Sequence, residues 1–103
     1  MKPHPQLVDA QALGREKPAT FQVPPERRLA LLGELGLEPY VKVCLSDEES
    51  GERFWVKVTG CDAGVYSGIV SNDLGGPWDV TKGDVIRFES RHVYDTRFKG
   101  ELE

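Results

Sequence analysis

The chain is predicted to be α+β and mainly β, a small SH3-like or half-open antiparallel β-barrel with one N-terminal α-helix. Three observations predict this. In Gly51-Glu-Arg-Phe-Trp-Val-Lys-Val-Thr-Gly60, Phe54, Val56 and Val58 alternate with Arg53, Trp55 and Lys57. That is the period-two signature of a strand with one oily and one wet face. Several more such segments follow at short intervals, separated by Gly- and Asp-rich turns, which suits a bent antiparallel meander. A single Leu-rich stretch with helical spacing precedes them all.

At 103 residues there is room for one domain. Residues 1–22 hold prolines, glutamines and scattered charge without periodicity, and are expected to form an irregular arm anchored by Phe21 and Val23. The remaining 23–103 leave roughly 80 residues for the fold, which bury about 60–65% of their unfolded surface. Pro24-Pro25-Glu26 is a helix-entry signal, because proline is tolerated where its missing N–H has no partner and an acid suits the dipole. Leu29, Leu31, Leu32 and Leu35 supply the apolar stripe of a helix over about 25–35. Gly33 weakens its interior by about 1 kcal/mol, Gly36 is placed as its left-handed terminator with Leu37 behind it, and Pro39 ends it.

Strands are expected over 40–45, 53–59, 65–71, 84–89 and, shorter, 93–98. The loop after the first is acidic (Asp47-Glu48-Glu49), and Gly60–Gly64 forms the next turn. Gly68, in the middle of the third strand, marks a bulge or a close backbone approach. The loop over 72–83 is rich in turn residues, with Trp78 after Gly75-Gly76-Pro77 expected to tuck back as a lid.

Charged residues make up 29% of the chain and hydrophobic ones 39%, with 17 acids against 13 bases and a net charge of −4. These are ordinary values for a globular protein, and the acidic balance disfavours phosphate-backbone binding. No apolar run reaches the ~18–20 residues that span a bilayer. No basic-then-apolar leader opens the chain, so a cytoplasmic location is expected. Cys44 and Cys61 fall at opposite ends of paired strands, on the order of 25 Å apart. A disulfide needs Cα atoms within about 7 Å, so both are expected as free thiols.

Four short motifs in order carry a resemblance. Glu52-Arg-Phe-Trp-Val-Lys-Val-Thr59, Gly68-Ile-Val-Ser-Asn-Asp73, Lys82-Gly-Asp-Val-Ile-Arg-Phe88 and Arg91-His-Val-Tyr-Asp95 resemble the YegJ-like family of small bacterial domains of unknown function. The resemblance covers about residues 37–95. The family's proline beside the turn asparagine is displaced here to Pro77. The resemblance supports the fold and implies no activity, cofactor or catalytic residue.

The candidate site is the wet face of the second strand. Hairpin pairing places Lys42 opposite Trp55, with Arg53 and Lys57 flanking the ring. A ring edged by cations either staples the sheet through cation–π contact or offers a platform to a partner. Asn72, Asp73 and Asp84 sit at strand ends, where they are expected to bond their own turns. His92 has Asp95 nearby but no marked nucleophile, and two histidines with separated cysteines give no convergent metal ligands. No cofactor, metal or catalytic residue is therefore expected. The function expected first is a non-enzymatic protein- or peptide-binding module using Lys42, Arg53, Trp55 and Lys57. The alternative is a single-stranded nucleic-acid binder on the same patch. A small hydrolase-type enzyme working through Asp84, His92 or Cys44 comes last.

Overall fold

Five strands form one antiparallel sheet: β1 (Tyr40–Ser46), β2 (Gly51–Asp62), β3 (Val65–Val70), β4 (Val85–Glu89) and β5 (Asp95–Arg97), in the order β4-β3-β2-β1-β5. Two short helices, α1 (Ala10–Glu16) and α2 (Glu26–Leu29), precede them. The computed structural model describes residues 7–17, 23–46, 51–75, 78 and 80–99. Phe21, Asp47-Glu48-Glu49 and Gly76-Pro77 lie outside the described residues. All five expected strands are present. Among the described residues no ladder joins β4 to β5, so the sheet is open at those two edges.

β2 is the central strand and the longest. Val56 pairs with Val41 on one side and with Val70 on the other, which buries all three almost completely. Phe54, Val58, Ile86 and Phe88 extend the same inner face. The expected turn over 60–64 is tighter than that. The strands run on to Asp62 and Val65, and Ala63 and Gly64 alone make the reversal, both with positive φ. Such two-residue turns match the twist of the flanking strands. The register slips by one residue between Val58 and Gly60, a bulge that leaves Thr59 as the extra residue. Gly68 lies across from this bulge and is a close-approach glycine. A Cβ there would meet a Val56 methyl and the Lys57 carbonyl oxygen, the latter at 2.6 Å.

The helix expected over 25–35 is broken into shorter pieces. α2 passes into a 3-10 turn at Ala30–Gly33, and a second 3-10 turn follows at Leu35–Leu37. Three residues per turn aligns Leu29 with Leu32, and these two enter the core. Glu34 then leaves helical dihedrals, which carries Leu35 off the line. Leu31, Leu35 and Leu37 are accordingly exposed rather than part of a buried stripe. The left-handed residue that ends this region is Glu38, not Gly36. Arg28 locks α2 to β5, donating from Nε to Thr96 Oγ1 at 2.8 Å while its guanidinium lies over Phe98.

The stretch read as an irregular arm contains α1. The Asp9 carboxylate accepts the Ala12 N–H and caps the helix. That hydrogen bond, the leading cause, holds the Asp9 carboxyl below its ordinary value, and Arg91 adds to the effect. Leu7 bridges Leu45, and the Val8 N–H donates to the Cys44 carbonyl, so the arm covers the part of the β1 edge that β5 leaves open. Ala10, Cys44 and Tyr94 then form a second small core, with Val8, Leu13 and Val23 against it. Val23 is thus an anchor, as expected. The 3-10 turn Ser90–His92 receives this assembly. Arg91 bridges Asp9 at 3.3 Å and Glu89 at 3.2 Å, and His92 Nδ1 accepts the Glu89 N–H. Cys44 and Cys61 are both free thiols.

Two outcomes test this packing. Gly68→Ala should lower stability by about 1–3 kcal/mol, read from denaturant midpoints, because backbone must move to admit the methyl. Gly36→Ala, with open space around it, should stay within about 0.5 kcal/mol. His92 gives a pH dependence. Burial, reinforced by Arg91 and opposed by Glu89 and Asp9, lowers its pKa from the ordinary 6.5. The unfolded chain takes up the proton first, so this contribution is complete above about pH 6.5. It is lost as pH falls through the depressed folded value. Midpoints should therefore fall on mild acidification, and His92→Asn should flatten that part of the slope.

Candidate functional site

Up to the bulge at Thr59, alternation sends the odd-numbered residues of β2 to the face opposite the core, and register decides which neighbours they meet. Lys42 stands opposite Trp55 and Tyr40 opposite Lys57. β5 adds Asp95 beside Lys42 and Arg97 beside Tyr40. On the other side Ile69 pairs with Lys57, and Val85 with Ile69. One row therefore runs across all five strands, Arg97–Tyr40–Lys57–Ile69–Val85, spanning about 19 Å at ~4.8 Å per strand. Asp95, Lys42 and Trp55 form the row beside it.

Trp55 is half-buried. Lys42 Nζ lies 5.0 Å from its ring centroid and the Arg97 guanidinium 5.7 Å. Of the four residues singled out in the sequence, the fold brings Lys42, Trp55 and Lys57 together. Arg53 turns instead toward the α1 end of the face, where its guanidinium lies 4.9 Å over the Tyr94 ring. Arg97 takes the place expected for Arg53. Its charge is partly balanced by Asp95, at 2.8 Å. Lys57 makes no ion pair with any described residue.

Trp55 is fixed from its own backbone. Asn72 Oδ1 accepts the Trp55 N–H at 2.6 Å, and the Ser71 N–H donates to the Trp55 carbonyl. Asn72, expected to bond its own turn, thus extends the β2–β3 ladder by one side-chain hydrogen bond. Asp84 does behave as a turn residue, its carboxylate accepting the Thr81 N–H.

Glu52 has a role that the sequence reading missed. It shares inner-face parity with Phe54, yet it is a carboxylate. Its two oxygens accept the Gly75 N–H at 2.7 Å and the Trp78 indole N–H at 2.9 Å. These bonds draw the loop after β3 over the open end of the core, and Leu74 and Trp78 pack there. Trp78 is tucked, as expected. An acid at a core-parity position of a strand was the available signal.

The remaining candidates are structural in their contacts. His92 spends Nδ1 on the Glu89 N–H, which caps the turn it sits in. Cys44 is buried beside Tyr94. Burial, with Cys44 adding and Arg53 opposing, pushes the Tyr94 phenol up to about 12. Among the described residues no group of three or more His, Cys, Asp or Glu could hold a metal ion. None of their helices is long and apolar enough to cross a membrane. An open cleft of about 540 Å³ lies between α1, α2 and β3, lined among others by Gln11, Glu26, Tyr66 and Ser90. No protein-family model, curated protein or solved structure matches the chain.

Removing the Glu52 carboxylate should leave the Gly75 and Trp78 donors without their acceptor. Glu52→Ala should cost about 1–3 kcal/mol. In a Trp55→Phe background it should also shift Trp78 emission to the red. Unchanged emission would mean that the carboxylate does not hold the loop.

Proposed function

We propose that this protein is a non-enzymatic binding module that takes a protein or peptide on the outer face of its sheet, centred on Trp55 with Lys42, Lys57 and Arg97. The observation that carries the proposal is the row of cation, aromatic and aliphatic side chains laid across five hydrogen-bonded strands. Large half-buried aromatics beside cations are the side chains that dominate binding energy at protein interfaces. A sheet also holds them in fixed register. Arg53, at the α1 end, forms the margin of the surface. Exposed aliphatic groups next to the cations support a peptide over a single-stranded nucleic acid, and so does the chain's net acidity.

The same proposal includes an SH3-like half-open barrel as the frame. The strand order supports it, with β5 returning to the far edge of β1 after a 3-10 turn. It also includes membership of the YegJ-like bacterial family over about residues 37–95, and a cytoplasmic location, with which free thiols accord.

The experiment is affinity capture with mass spectrometry, comparing the wild-type chain with Trp55→Ala. Proteins retained reproducibly by the wild type should be lost from the variant, whose circular dichroism spectrum is unchanged. Equal capture by both would reject the site.

A further inference from the structure

We infer that the occupant of this face is an acidic peptide segment with aliphatic residues beside its carboxylates, lying across the strands with its acids over Lys42, Lys57 and Arg97 and its aliphatic side chains over Ile69 and Val85. The inference rests on the binding-module reading and adds the ligand's chemistry and direction.

The contacts at Trp55 decide the class. Lys42 and Arg97 already lie over the indole at cation–π distances. A base or aromatic ring that stacked on the indole would have to displace the cation on that side. A carboxylate does not. It joins the cations from the solvent side and leaves them against the ring. The aromatic therefore serves to hold the cations in place, which lowers the ordering cost when an anion arrives.

Charge complementarity gives the sign. Asp95 is the acid in the adjoining row, and it is engaged by Arg97. Lys42 and Lys57 thus leave the patch positive on a chain whose net charge is −4. The partner's charge is met here and repelled elsewhere, which fixes where it lands. The row itself gives the direction. Beyond Lys57 it continues into Ile69 and Val85, which are 39% and 69% exposed. A phosphate backbone offers nothing to two aliphatic side chains, whereas a peptide offers Leu, Ile or Val.

The test uses short fluorescein-labelled peptides and the full chain. The first has an Asp/Glu half followed by an Ile/Val half. A second replaces the acids by lysines, a third replaces the aliphatics by serines, and oligothymidylate is the nucleic-acid probe. The acidic–aliphatic peptide should bind about tenfold or more tightly than each of the other three, and added salt should weaken it. Lys57→Glu and Ile69→Ser, both on the solvated face, should each weaken that peptide while leaving the denaturation midpoint near wild type. Tighter binding of oligothymidylate or of the lysine peptide would overturn the inference, as would binding unaffected by both variants or no binding of any probe. The binding-module reading fails separately, on capture that survives Trp55→Ala.

Discussion

The two-sidedness of β2 is the constraint from which the rest of the molecule follows. Its first part, Gly51 to Lys57, pairs with β1 and its second, from Val56 to Asp62, with β3, so its inward side chains join the inner faces of both neighbours in one core. Phe54, Val56 and Val58 are nearly inaccessible there. A slip of one residue would send Arg53, Trp55 and Lys57 inward and expose the oily set. Val56 and Gly68 fix the register sterically. The absent Cβ of Gly68 is what lets β3 approach, directly beside the register shift at Thr59.

The other elements finish a sheet that cannot close itself. One end of the inner face is covered by Leu29 and Leu32, tied to β5 through Arg28 and Thr96. The opposite end is covered by the loop that Glu52 draws in. Along β1, the arm and β5 share one edge, and α1 packs on the outer face beside Cys44 and Tyr94. That leaves the Trp55 region as the part of the outer face where aromatic, cationic and aliphatic side chains meet solvent together. A hydrogen-bonded lattice of five strands holds that surface in register. Asn72 extends that lattice to the Trp55 backbone.

Legibility in the sequence tracked the range of the interactions involved. The five strands, the Lys42–Trp55 pairing and the crowding at Gly68 were readable because alternation and hairpin register are local rules. α1 was not, because seven residues give too short a stripe, and what holds it is Asp9 reaching Arg91 across the fold. The broken helix near 25–37 was misread because leucines at helical spacing do not reveal that only two of them meet a sheet. Arg97 reaches Trp55 through the β1–β5 pairing, which joins residues far apart in the chain. Arg53 lies over an aromatic on a different element, Tyr94, a contact between residues far apart in the chain. Glu52 was visible as an acid in a core-parity slot, but its partners lie in a loop whose path the sequence did not specify.

The claim at the centre is that Trp55 stands at the surface with its ring under positive charge. Quenching of its fluorescence by iodide and by caesium, in a Trp78→Phe chain where it is the sole tryptophan, tests that most directly. Iodide should reach the ring, concentrated there by Lys42, Arg97 and Lys57, and quench it well beyond what caesium achieves at equal ionic strength. Equal quenching by both ions, or protection from both, would contradict a cationic and open outer face.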